Sequence, residues 1–141
     1  MLKKISPVLS PDLLKVLMEM GHGDEIVIAD GNFPGASHAR NLVRCDGLNI
    51  PELLEAILEL FPLDEYSEKS VCLMKVAEGD LYHPEIWETY KTILAASEEE
   101  NTSIEELERF DFYERSKRAY AIVTTSEKSL YANVILKKGV V

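Results

Sequence analysis

The chain is poor in the features that mark several function classes. It has two cysteines in 141 residues, Cys45 and Cys72. They stand apart, without metal-ligand spacing, so a reduced intracellular setting is the simplest reading. Positive charge is scarce: 15 lysines and arginines face 25 aspartates and glutamates, for a net charge of −10. That balance argues against nucleic acid and anionic membrane surfaces as main partners and leaves a neutral small molecule open. No apolar run approaches the roughly 20 residues needed to span a bilayer. The basic start Met1-Leu2-Lys3-Lys4 is soon interrupted by Ser, Pro and Asp, unlike a secretory signal, and a cytoplasmic protein is expected.

What is present fits one domain over residues 1–141. At 46% hydrophobic and 28% charged, the chain reads as globular and long enough to bury a core without disulfides or metals. Residues 20–34, Met-Gly-His-Gly-Asp-Glu-Ile-Val-Ile-Ala-Asp-Gly-Asn-Phe-Pro, organise the rest. Gly21 and Gly23 flank His22, and the apolar run Ile26-Val27-Ile28-Ala29 reads as a strand covered on both faces. Asp30-Gly31-Asn32 supplies turn chemistry, and Pro34 stops the strand. One short strand therefore carries an imidazole at one end and a carboxylate at the other. Taken alone, a histidine in a glycine-rich turn is more often a solvated loop residue than a catalyst. An aspartate before glycine is more often a turn former.

Before this stretch, Ser10-Pro11-Asp12 opens a helix with a preferred cap, a first-turn proline and an acid suited to the helix dipole. Residues 35–41 are small and polar, either a connection or a loop that orders around a ligand; His38 and Arg40 stand out there, His38 reading more readily as a bystander than as a ligand. Residues 42–47 predict a strand and turn, 49–60 a well-buried helix, and 63–70 a polar connection. A strand over 71–76 precedes an amphipathic helix over 83–94, in which Trp87 lies beside the apolar face. Residues 98–100, all Glu, read as a solvated segment. Residues 102–107 look like a short helix start, 111–118 a charged helix, 119–125 a strand, and 131–140 a last strand and tail.

Three blocks carry a resemblance. Residues 21–34, the string Arg109-Phe110-Asp111-Phe112-Tyr113-Glu114-Arg115, and residues 131–140 are similar to the sugar mutarotase family of L-fucose mutarotases and D-ribose pyranases, most of all to its fucose branch. The resemblance implies an α/β fold, a three-layer α/β/α sandwich around a mixed sheet. It also implies ring-shaped homo-oligomers, with a decamer of stacked pentamers expected, and interconversion of sugar anomers without cofactor or metal. By motif position the general acid falls on His22 and a sugar-binding carboxylate on Asp30, with further sugar contacts on Arg109, Tyr131, Ala132 and Asn133. Tyr120 is left without a chemical role, because some relatives carry an aromatic without a hydroxyl there.

These residue types suit the chemistry. Opening a pyranose needs a proton delivered to the ring oxygen while another leaves the anomeric hydroxyl, and a histidine can give and recover that proton. Asp30 can accept hydrogen bonds from sugar hydroxyls, Arg109 can donate several, Tyr131 can offer an apolar face, and Asn133 can do both. Without the motif, Arg109 reads as a surface ion-pairing residue and Tyr131 as a strand aromatic. A ribose-type pyranase, a non-catalytic monosaccharide-binding module and a regulatory or assembly protein using its acidic surface remain as alternatives.

Overall fold

Helix α1 (Pro11–Glu19) forms where its ends are satisfied. Ser10 Oγ accepts the Leu13 N–H at 3.2 Å, and Asp12 sits in the first turn. At the other end Lys138 Nζ donates to the Leu17 and Met20 carbonyls at 2.7 and 2.6 Å, a cation placed on orphan helix carbonyls. The computed structural model describes residues 1–141. After α1 come β1 (Glu25–Ala29), the single turn α2 (Gly35–His38), β2 (Leu42–Cys45), α3 (Ile50–Leu58), β3 (Val71–Met74) and α4 (Glu85–Ala96). The chain closes with β4 (Ile104–Leu107), α5 (Arg109–Arg118), β5 (Ala121–Thr125) and β6 (Val134–Lys137).

The six strands form one sheet in the order β2-β5-β1-β6-β3-β4. β1 pairs parallel with β5, β5 with β2 and β3 with β4, whereas β6 is antiparallel to both β1 and β3. Five strands therefore run one way and β6 alone is reversed. The loops after β1, β2, β3, β4 and β5, and the turn entering β6, all gather along one edge. In open α/β sheets this carboxyl edge is where ligands bind.

Alternation along β1 divides the core. Ile26 and Ile28 join Leu13, Leu17, Leu53, Ile57, Tyr90 and Leu94, so α1, α3 and α4 cover one face. Val27 and Ala29 join Phe33, Cys72, Phe112 and Ile135 on the other face, under α5. The expected three-layer α/β/α arrangement around a mixed sheet is what forms. One expectation fails: residues 102–107 hold a strand, not a helix start. Ile104 and Leu107 are spaced as on a helix, but the segment pairs with β3 in the register Val71↔Ile104 and Met74↔Leu107. Its charges suit a sheet edge, and Glu105 forms an ion pair with Arg115. The last strand also starts later than its apolar run suggests, because Tyr131 turns the chain at φ 56°.

Candidate functional site

Four of the six residues singled out by the resemblance converge around the end of β1. The Asp30 N–H donates to Asn133 Oδ1 at 2.8 Å across 103 residues of sequence, and Asp30 Oδ1 accepts the Asn32 N–H at 2.9 Å. Asp30 is 8% exposed. Burial pushes its carboxyl above the ordinary range, against the pull of the Asn32 and Phe33 N–H groups and the Asn133 amide.

Next to Asn133, Ala132 is buried and its carbonyl accepts the Tyr90 hydroxyl at 2.6 Å. Tyr131 occupies the left-handed region, uncommon for a residue with a Cβ, and Trp87 Nε1 holds its carbonyl at 2.7 Å. The Tyr131 hydroxyl donates to Asp80 Oδ2 at 2.6 Å and accepts the Ala77 N–H at 3.3 Å, while its ring stacks on Tyr82 at 6.0 Å. Trp87, Asp80 and Tyr82 are thus the supports of this turn. They went unseen as such because their spacing along α4 and its approach carries no pattern.

Arg109 opens α5 at the same edge of the sheet, where a cation opposes the helix dipole. Its guanidinium lies over the Phe110 and Tyr113 rings at 5.6 and 5.4 Å and donates to the Tyr113 hydroxyl at 3.1 Å. It lines a cavity of about 760 Å³ with Lys75, Ala77, Glu78 and Phe110. Asp30 lines a separate depression of about 300 Å³ with Ser37, Arg44 and Thr124.

His22 lies elsewhere. It precedes β1 whereas Asp30 follows it, and the strand's five residues at about 3.3 Å each put more than about 15 Å between the two ends. Within one chain they cannot hold the same sugar. At its own end, His22 Nε2 faces Asp64 Oδ1 at 3.0 Å, and its ring packs against Tyr66 at 5.4 Å. Asp64 is 2% exposed. The Ser67 hydroxyl, which donates to Oδ2, brings the Asp64 carboxyl down to about 2, helped by His22 and the Tyr66 N–H and opposed by burial. Neither Asp64 nor Tyr66 was legible, for both fall in what reads as a plain polar connection. His22 also rims an apolar cavity of about 700 Å³ with Leu14, Met18, Leu60, Lys138 and Val140.

His38 borders the Asp30 and Arg109 groups through Ser37 and Tyr113, whereas Arg40 and Tyr120 are engaged in neither. His38 bonds Ser37 Oγ through Nδ1 at 2.9 Å and packs edge-on to Tyr113. Arg40 is exposed, and the Tyr120 hydroxyl donates to Glu19 Oε2 at 2.9 Å. Glu127, which the sequence offers only as a turn residue, is buried and accepts the Ile50, Lys128 and Ser129 N–H groups, which places its charge at the start of α3. No three His, Cys, Asp or Glu side chains converge as metal ligands, and no helix is long and apolar enough to cross a membrane.

Comparison with known proteins gives this arrangement a setting. An L-fucose mutarotase of Haemophilus influenzae is 49% identical over 140 residues, covering 99% of this chain and 97% of its own. The crystal structure of the fucose mutarotase of Streptococcus pneumoniae in complex with L-fucose matches at a TM-score of 0.95 and 60% identity, covering 99% of each chain. Bacillus subtilis RbsD complexed with D-ribose matches at a TM-score of 0.74 and 25% identity, over 94% of this chain and 95% of its own. The sequence profile of the RbsD / FucU transport protein family matches residues 3–141, and the chain belongs to that family.

Proposed function

We propose that this protein is a sugar mutarotase that interconverts the α and β anomers of free L-fucose by acid–base ring opening and reclosure. The observation that carries the reading is the 0.95 TM-score and 60% identity to a fucose mutarotase that binds L-fucose. The carboxyl-edge group supports it with the right chemistry. Asp30 accepts from sugar hydroxyls, Arg109 and Asn133 donate to them, the Ala132 backbone is held against the ring, and Tyr131 offers it an apolar face. His22 gives a proton to the ring oxygen as the C1–O bond breaks, while the anomeric hydroxyl loses its own proton to a second acceptor. The open aldehyde turns about C1–C2, and the reverse transfers close it on either face. Nothing is consumed, so no cofactor is required.

Because His22 and Asp30 sit at opposite ends of β1, the working site needs two copies of the chain. A homo-oligomer, a decamer of stacked pentamers, brings His22 of one copy to the Asp30 edge of another. The exposed apolar side chains near His22, Leu2, Met18, Leu60, Val140 and Val141, support that assembly by marking a face that a neighbour covers. The free, buried Cys45 and Cys72 suit a cytoplasmic protein.

The family's description as transport proteins favours one second reading, a binding module that delivers monosaccharide without catalysis. Saturation-transfer NMR on free sugars separates the possibilities. Faster exchange between L-fucose anomers is expected, and weaker effects on galactose, glucose and ribose. Binding of fucose without faster exchange selects the delivery module. Pyranose–furanose exchange of ribose as the dominant activity selects a pyranase.

A further inference from the structure

The connection from α3 to β3 passes His22 and buries a carboxylate beside it. Asp64 is held from several directions before His22 is considered. Its N–H donates to the Lys137 carbonyl at 3.0 Å, and its carbonyl accepts from Asn101 Nδ2 at 3.0 Å. Oδ1 accepts the Tyr66 N–H at 3.1 Å, and Oδ2 accepts the Ser67 hydroxyl. Asn101 Nδ2 also bonds the Ser67 carbonyl at 2.8 Å, closing the loop on itself. The side chain of Asp64 is 3% exposed, against 47% for His22. A fixed buried acceptor thus faces a ring that is otherwise half in solvent.

We infer that Asp64 is a positioning residue for His22: it fixes the imidazole with a proton on Nε2 and presents Nδ1 to the sugar. This rests on reading His22 as the proton-exchanging group. An ionised carboxylate has no proton to give, so its bond to Nε2 requires N–H there, and the neutral ring keeps its lone pair on Nδ1. Asp64 is the ring's hydrogen-bond partner within the chain. The Tyr66 ring, tilted 58° beside it, restricts rotation. Other charges nearby are engaged elsewhere. Lys138 Nζ is turned to the carbonyls closing α1, and Asp24 Oδ2 accepts the Gly21 N–H at 2.8 Å. The form that gives a proton to the ring oxygen carries one on Nδ1 as well; that charged ring faces a carboxylate instead of bare water, and the neutral Nε2–H ring left behind takes the proton back at Nδ1.

The test uses the full-length protein with ¹⁵N-labelled histidine, His38→Gln and His83→Gln serving for assignment. In the wild type, neutral His22 is expected as the Nε2–H tautomer; finding Nδ1–H overturns the inference whether or not any variant folds. Asp64→Asn is expected to mix the tautomers and lower kcat for fucose anomer exchange by about tenfold or more, with KM nearly unchanged, since carboxylates that orient an imidazole supply factors from about 10 to 10⁴. Ser67→Ala loses a loop bond but keeps the carboxylate, and is expected to retain the tautomer and most of kcat. If both variants lose activity alike with the tautomer unchanged, Asp64 only braces the loop and the inference falls. A fully active Asp64→Asn beside an inactive His22→Gln overturns this inference alone. A His22→Gln protein at the wild-type rate overturns the proton-transfer reading and the inference with it.

Discussion

Asp30 begins as a turn former and ends as the buried centre of a polar group. Its carboxyl is shielded from water and raised by that burial, and its backbone N–H donates to Asn133 Oδ1. A sugar hydroxyl donating to it restores part of the lost hydration, and a hydrogen bond to a charged group is worth about 1.5–3 kcal/mol. Asp30→Asn keeps the size but not the charge, and Asp30→Ala removes the acceptor altogether. Titration calorimetry with L-fucose is expected to show weaker binding for both, with Ala worse by about one to two decades in Kd. Wild-type affinity in the Ala variant would leave Asp30 as a turn residue only. Asp30, Arg109 and Asn133 were legible because they stand inside strings that resemble a known family. Asp64 was not, since 42 residues separate it from His22 and its local composition reads as loop. What makes it special is burial beside an imidazole, a property of the folded chain.

Strands and helices were read with uneven success, for a physical reason. Long periodic segments such as α1 and α3 announce themselves through caps and apolar stripes. The four residues of β4 span barely one helical turn, too few for a period to declare itself, and their state is set by the neighbouring edge of β3. The tail after β6 shows the same dependence on partners. Gly139 donates its N–H to the Pro62 carbonyl at 2.8 Å, and a Cβ there would lie 2.5 Å from the Leu63 carbonyl oxygen. Only a residue without a side chain fits so close to that backbone, one residue from Asp64. Gly139→Ala is expected to cost about 1–3 kcal/mol, as overpacked sites do. Thermal melting against Gly21→Ala, whose added Cβ would meet nothing nearer than 3.7 Å, checks this. Equal melting temperatures would mean that the tail shifts freely.

At the scale of the molecule, two facts pull in opposite directions. A net charge of −10 favours separate, soluble copies, while one end exposes Leu2, Met18, Leu60, Val140 and Val141 around an apolar cavity of about 700 Å³. Light scattering at micromolar concentration is expected to find a homo-oligomer, because that face and the divided site call for the same solution. Met18 gives the sharper test. It stands on α1 at 85% exposure, so a charge there has no effect on the core of the single chain. Buried against a neighbour, the same charge would be left without a partner and would cost several kcal/mol. Met18→Glu is therefore expected to keep its helix content and melting behaviour as a monomer, dissociate the assembly, and lose anomer exchange along with it. Activity should return wherever crosslinking or raised protein concentration restores the oligomer. A monomeric protein with full exchange activity, whether wild type or Met18→Glu, would mean that His22 and the Asp30 edge act separately, and the two-copy site would have to be abandoned.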